Sequence, residues 1–326
     1  MIETQDLYKR YGDRTVLTGL SLSIPKGEVC GLLGQNGAGK TTTMRILTTA
    51  LQPTSGRVLL NGIDAVQQPH EIRKIVGYLP EKPPLYGNMK VGEFLHFVGN
   101  MRSVQSLSKQ VGLVLEQTGL LGRENQRIQT LSKGFQQRVG IAQAILHQPE
   151  VLILDEPASG LDPSQLVEIR KLLRSLAEER TVLLSTHQLT EAEQICSYNA
   201  LLHKGTLSFA GHHADWVERF GGRYWSLYVQ NQEEIDAKMT RLATEEWVKK
   251  VVQNTVGNTW DVVSPEIEDL EATHPHQYRR YDVYTAMEDV STLWNWCQEA
   301  GVRLFGLHRQ VPSLESCFLA TVGAEQ

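Results

Sequence analysis

Gly34-Gln35-Asn36-Gly37-Ala38-Gly39-Lys40-Thr41-Thr42 is the stretch on which the reading of this chain turns. Its spacing is Gly-x-x-x-x-Gly-Lys-Thr. Immediately before it, Glu28-Val29-Cys30-Gly31-Leu32-Leu33 is almost continuously apolar, the pattern of a strand buried on both faces. Immediately after it, Met44, Leu47 and Leu51 recur at helical spacing. Strand, glycine loop and helix is the order that a phosphate-binding loop requires. The glycines let successive backbone N–H groups turn inward on an anionic phosphate at a helix N-terminus. Lys40 is then placed to neutralise β- and γ-phosphate oxygens, and the Thr41 hydroxyl to take one Mg²⁺ position. The nine residues 34–42 read as a nucleotide site.

Further along, Val151-Leu152-Ile153-Leu154 is a second apolar strand, and Asp155-Glu156 emerges at its C-terminal end, where open α/β sheets bind ligands. Asp155 is expected to hold Mg²⁺ and Glu156 to polarise an attacking water. Thr181–Ser185 is another strand, with a helical stretch at 163–179 between the two. This alternation predicts a parallel sheet wound with helices. Residues 16–24 and 57–61 also read as strands. From 90 to 148 the apolar period is helical instead (Val91, Phe94, Leu95, Val98; Val111, Val114, Leu115; Val139, Ala142, Ile145, Leu146), which predicts a helical insertion.

Composition adds a seam. The 326 residues are 41% hydrophobic with a net charge of −5, which excludes wholesale disorder and disfavours bulk nucleic-acid electrostatics. Residues 1–210 hold 22 basic and 19 acidic side chains, whereas 211–326 hold 10 and 18, together with all six tryptophans. Two units with different cores are expected, meeting near Gly205–Gly211. No uncharged run approaches the roughly 18 apolar residues of a membrane helix, and Met1-Ile2-Glu3 lacks the look of a secretory signal. Cys30, Cys196, Cys297 and Cys317 are scattered, as reduced thiols rather than staples or zinc ligands.

Leu131-Ser132-Lys133-Gly134-Phe135 lies 23 residues before Asp155, counted from Ser132, and His187 lies 31 residues beyond Glu156. In this order the motifs resemble those of the ATP-binding-cassette (ABC) ATPases, over about residues 1–210. The resemblance implies an α/β P-loop cassette with a RecA-like core, an antiparallel β subdomain and a helical subdomain at about 90–148. A smaller α+β domain at 211–326 follows. By the same resemblance Tyr11 stacks on adenine, and 34–42 hold the triphosphate of ATP with Mg²⁺ at Thr41 and Asp155. Glu156, Lys40 and His187 are the catalytic set. Ser132 and Gly134, in the signature loop at the N-terminus of a helix beginning near Phe135, bind the γ-phosphate held by a second copy, and Ser159-Gly160-Leu161-Asp162 is the loop that crosses between copies.

Three positions depart from the family pattern: Lys133 stands where Gly is usual, Phe135 where Gln is common, and Glu81, in Gly77-Tyr78-Leu79-Pro80-Glu81, where Gln is usual. Glu81 remains a candidate nucleotide and Mg²⁺ contact with altered charge. The resemblance implies an ATPase working as a head-to-tail homodimer, peripheral on the inner face of the cell membrane. It powers a separately encoded membrane permease, which Pro83-Pro84-Leu85-Tyr86 and the following helix are placed to receive. No direct nucleic-acid partner is expected, although a soluble ABC ATPase acting on nucleic acid or ribosomes, or a regulatory cassette, stays open. The closing Pro312–Leu319 resembles a C-terminal motif of bacterial exporter ATPases. In the second unit 223–229, 281–285 and 302–311 read as strands and 233–246 and 289–300 as helices, the last two strands forming a β-α-β unit. Trp294 and Trp296 read as packing residues, and His212-His213 and His274-Pro275-His276 as solvated loops.

Overall fold

In a computed structural model the described residues are 1–220, 224–231, 234–254, 278–285, 290–310, 313–315 and 318. They divide into two compact units, Met1–His212 and His213–Gln326. The first begins with strands β1 (Ile2–Tyr11), β2 (Arg14–Ile24) and β3 (Val29–Leu33), then helix α1 (Lys40–Leu47), β4 (Ser55–Leu60) and β5 (Ile63–Asp64). Next come α2 (Pro69–Ile75), β6 (Val76–Leu79), α3 (Val91–Met101), α4 (Leu107–Gln117) and α5 (Lys133–Ile145). It closes with β7 (Val151–Asp155), α6 (Pro163–Ala177), β8 (Thr181–Thr186), α7 (Leu189–Ile195), β9 (Tyr198–His203) and β10 (Thr206–His212).

Two sheets carry this unit. The antiparallel one has the order β2-β1-β4-β5, and the other runs β10-β9-β3-β8-β7-β6. In the second, β9, β3, β8, β7 and β6 are mutually parallel along the ladder. All residues of β3, β7 and β8 are buried, as expected for strands covered on both faces. Parallel direction matters for function, because it brings the C-terminal ends of β3, β8, β7 and β6 to one rim. One core joins the sheets: Ile2, Leu7, Leu17 and Leu22 pack in a single cluster with Met44, Leu47, Ile153 and Leu183. α3, α4 and α5 form the helical insertion.

The signature segment differs from the expected boundary. Its helix does not begin near Phe135 but at Lys133, because the Ser132 side chain accepts from the Phe135 backbone N–H and caps it. A second difference lies in the second unit, which runs α8 (His213–Phe220), β11 (Tyr224–Gln230), α9 (Ile235–Leu242), β12 (Val248–Asn254), β13 (Tyr278–Thr285), α10 (Ser291–Glu299) and β14 (Leu304–Gln310). Its strands form an antiparallel sheet ordered β12-β13-β11-β14. β13 and β14, expected as neighbours in a β-α-β unit, are instead separated by β11. This is the split β-α-β, ferredoxin-like arrangement. Periodicity marked the strands, but neighbour choice is a tertiary matter and left no local trace.

Leu227, Val229, Val283 and Leu293 form the centre of this unit's helix-facing core, with Trp225, Trp247 and Trp296 packed around it. Trp296 Nε1 donates to Glu245 Oε1 at 3.0 Å, whereas Trp294 is exposed. Cys30, Cys196 and Cys297 are free and buried. Neither His274 nor His276 is among the described residues, and Pro312–Leu319 is so only at Ser313–Glu315 and Phe318. Because every tryptophan lies beyond residue 210, tryptophan fluorescence reports the second unit selectively. Leu227→Ala is expected to lower that unit's stability by about 2–5 kcal/mol, read as an earlier urea midpoint in tryptophan emission. ATP hydrolysis at low urea should be kept, and an unchanged midpoint would contradict the core assignment.

Candidate functional site

A cavity of about 520 Å³ opens at the rim where the parallel strands end, lined by Tyr11, Asn36, Gly37, Gly39, Lys40, Thr41, Thr42, Glu81, Glu156, Ser159 and His187, with Arg14 and Val16. Four strand ends supply it: β3 leads into the loop 34–39, β7 into Glu156, β8 into His187 and β6 into Glu81. The glycines are needed where the backbone is most crowded. Gly39 has φ +110° and a Cβ there would fall 2.6 Å from Leu17 Cδ2, while one on Gly34 would run into the Leu202 carbonyl oxygen.

Lys40 folds back on its own loop, its Nζ donating to Gly34 O at 2.7 Å and to Gln35 O at 3.3 Å. Burial lowers its pKa, against an opposing pull from Glu156 and Asp155. The cation is thus held by carbonyls that a phosphate can replace. Asp155 is 2% exposed. Its Oδ1 accepts from Ser185 Oγ at 2.6 Å and from Thr41 Oγ1 at 3.4 Å. Ser185 in turn accepts from the Glu156 N–H at 2.9 Å. Two hard oxygens on adjoining elements, Thr41 Oγ1 and Asp155 Oδ1, are a donor set suited to Mg²⁺.

Glu156 sits at φ +50°, in the left-handed region that non-glycine residues rarely adopt. The turn swings its carboxylate toward His187, whose Nδ1 lies 2.8 Å from Glu156 Oε2. Behind His187, the Thr186 hydroxyl accepts from the Gln188 N–H at 3.0 Å and donates to Glu191 Oε2 at 3.4 Å. Glu191 is a buried carboxyl whose Oε1 has no hydrogen-bond partner. Burial raises its pKa; Arg170, the Thr186 hydroxyl and His187 oppose the rise and Glu156 adds to it.

The cavity therefore brings together most of the sequence candidates. Gly34, Gln35, Ala38 and Asp155 belong to the elements behind it. Ser132, Gly134 and Asp162 are absent from its lining. Ser132 is exposed at the start of α5. Asp162 caps α6, accepting from Ser164 Oγ at 2.6 Å and the Gln165 N–H at 2.9 Å, bonds that hold its carboxyl below the usual range. Arg14, Val16, Ser185, Thr186 and Glu191 were not singled out beforehand. A polar Ser-Thr pair ending the apolar run Thr181–Leu184 was the signal for two of them.

Parallel strands ending on a glycine loop, a buried Asp and a strained Glu facing His define a P-loop ATPase site. Residues 17–159 match the ABC transporter family. Over 209 residues the chain is 42% identical to the bacitracin transport ATP-binding protein BcrA of Enterococcus faecalis, covering 64% of this chain and 68% of that protein. It is 29% identical over 329 residues to the linearmycin resistance ATP-binding protein LnrL of Bacillus subtilis (strain 168), covering 99% of this chain and 98% of that protein. Among solved structures it resembles the dimeric structure of MJ0796, a bacterial ABC transporter cassette, with a TM-score of 0.59 and 26% identity over 65% of this chain and 98% of that one. The chain belongs to the ABC transporter family of ATP-binding subunits, and its activity is ATP hydrolysis coupled to transport.

Because the Glu191 pKa is raised in the folded state, ionising it costs stability as pH climbs from the unfolded value through the folded one. Glu191→Gln removes that charge and keeps an acceptor for Thr186. It is expected to melt higher than the starting chain at pH 8, with the gain gone below about pH 4. Equal melting curves at pH 8 would show that the buried carboxylate costs nothing.

Proposed function

We propose that this chain is the motor of an exporter, in which two copies close head to tail on two ATP molecules and drive a separately encoded membrane subunit. The observation that carries the reading is the position of Ser132. It begins a helix, it is exposed, and it lies outside the cavity of its own chain. A capped helix N-terminus is an anion site, and a γ-phosphate presented by a second copy satisfies it. The dimeric assembly of the similar cassette agrees with this arrangement.

The chemistry follows from the residues. Loop 34–42 and Lys40 grip the phosphates, and Tyr11 covers the base. Thr41 and Asp155, with Glu81 as a further candidate, would hold Mg²⁺, which would neutralise phosphate charge. Glu156 orients the attacking water and accepts its proton. His187, tethered to Glu156, senses the γ-phosphate and keeps the carboxylate aimed. Ser132 and Gly134 complete the neighbouring copy's site, and Asp162 fixes the turn that crosses to it.

Force has to leave the cassette through a surface. Tyr86 is 54% exposed and packs edge-on against Phe94 and Phe97 at 6.0 and 5.7 Å between ring centroids. This aromatic shelf follows directly on Glu81, so a displacement at the nucleotide reaches it through five residues. Among the described residues no helix is long and apolar enough to cross a membrane, and the shelf suits a helix offered by a membrane partner. End-to-end similarity to a linearmycin resistance ATP-binding protein and partial similarity to a bacitracin transport ATP-binding protein support outward movement of a toxic compound.

Mixing Lys40→Ala chains with Ser132→Arg chains tests the sandwich. Each alone should lose at least about a hundredfold in turnover, whereas the mixture regains part of it through one intact composite site. A mixture as inactive as either parent would exclude head-to-tail completion. Glu156→Gln should bind ATP normally and accumulate as a dimer on gel filtration with MgATP, with hydrolysis abolished.

A further inference from the structure

Two of the departures from the family pattern, Glu81 and Lys133, carry opposite charges, and the fold brings them to one place. A second cavity, of about 430 Å³, lies beside the ATP cavity and is lined by Glu81, Lys82, Gln129, Lys133, Gln137 and Ser159 among others. Glu81 and Ser159 line both cavities and so form the wall between them. Glu81 is the one acid among the described residues of the second lining, which Lys133 joins from the first turn of α5.

Lys133 is also pinned from the other side. Its Nζ rests on Gly160, which has φ +69°, and a Cβ on that glycine would collide with the ammonium group. The next residue, Gly134, packs against the start of α6, where a Cβ would fall 2.7 Å from Gln165 Cδ. The ammonium therefore lies against the turn at Ser159–Gly160 on a side chain that stays exposed. Neither Glu81 nor Lys133 has an ion-pair partner within 4.0 Å among the described residues.

We propose that Lys133 is a positioning residue that acts as the intrachain countercharge of Glu81, restoring near-neutrality beside the nucleotide where an acid replaces the usual amide. The proposal rests on the ATPase reading of the larger cavity. An uncompensated carboxylate on the wall of a site built for a triphosphate repels its ligand, most strongly when no metal intervenes. A lysine lining the same cavity offsets that repulsion, and because both side chains are exposed the offset is screened by salt. It also accounts for the two departures occurring together: Lys133 adds a positive charge to the lining to which Glu81 adds a negative one. Because Lys133 contacts the turn containing Ser159, the pair ties the loop after β6 to the signature helix within one chain.

The test is metal-free ATP binding by the full-length chain in EDTA, at a concentration where it sediments as a monomer. Lys133→Met should weaken binding and Glu81→Gln should tighten it, each by a factor of about three to ten. The double variant should return to within about twofold of the starting chain. Lys133→Arg should bind like the starting chain, and the differences should shrink toward zero at about 1 M salt. Lys82→Met is the control for general positive charge and should change binding by less than about twofold. Unchanged affinity in Lys133→Met, or an equal loss in Lys82→Met, overturns the proposal. Lys40→Ala separates the two levels: if it fails to abolish binding, the ATP-site reading fails; if it abolishes binding while Lys133→Met is silent, only the countercharge fails. Melting temperatures of all variants within a few degrees of the starting chain establish that they are folded.

Discussion

The hydroxyl of Ser185 is the joint on which the nucleotide site depends. It is fully buried, donates to Asp155 Oδ1 at 2.6 Å and accepts from the Glu156 N–H at 2.9 Å. One side chain thereby fastens the end of β8 to the end of β7 at the point where the chain leaves the sheet. Without that acceptor the Glu156 N–H would be left without its partner beneath a backbone turned to positive φ, a combination of strain and desolvation that the fold has little stability to absorb. With it, Asp155 stays aimed at Thr41 and Glu156 at His187. Buried polar relays of this kind are costly when incomplete and rigid when satisfied.

That joint also explains where sequence reading reached and where it stopped. The loop 34–42 was legible because its constraint is local: three glycines adopt backbone angles other residues avoid, and a Lys-Thr must follow at once. Asp155-Glu156 was legible because two acids at the end of an apolar strand are conspicuous. Ser185 was not, since a small hydroxyl in Thr181–Thr186 looks the same whether it faces a carboxylate or a carbonyl. Only the pairing of β7 with β8, a contact 30 residues apart in sequence, gives it a role. Glu191 was hidden for the same reason, its burial being decided by packing of α7 on the sheet. The start of α5 was off by two residues because the cap is a side-chain hydrogen bond, which periodicity does not see.

The second unit shows the limit more sharply. Three of its strands and two of its helices were found from alternation and period, but α8 and β12 were not, and the sheet order β12-β13-β11-β14 inserts β11 between two strands joined by α10. A local β-α-β pattern is compatible with adjacent or split placement, and the choice follows from which apolar faces meet. Here Leu227 and Val229 of β11 meet Val283 of β13 under α9 and α10. The opposite face of the same strands is buried too: Ser226, Arg280 and Asp282 form a hydrogen-bonded cluster, with Ser226 Oγ 2.7 Å from Asp282 Oδ1 and Arg280 Nε 3.1 Å from it. A buried ion pair contributes little net stability but is costly to misplace. It disfavours any register in which the serine and the aspartate are not side by side.

Set together, the polar groups of the first unit fall into two kinds. Asp155 with Ser185, and Thr186 with Glu191, are buried and bonded in pairs, so their geometry exists before any ligand arrives. Ser132, Tyr11 and His187 are exposed, and the first stands apart from the cavity that the other two line. In the proposed dimer, a carboxylate at Glu156 that is preorganised and a Ser132 that faces outward belong to different sites, because α5 is fixed by its own packing against the core. On that proposal an identical Ser132 on an identical helix completes the site, and rigidity around Ser185 makes hydrolysis conditional on assembly: the tighter the buried relay, the less the single chain can adjust to supply the missing donor itself.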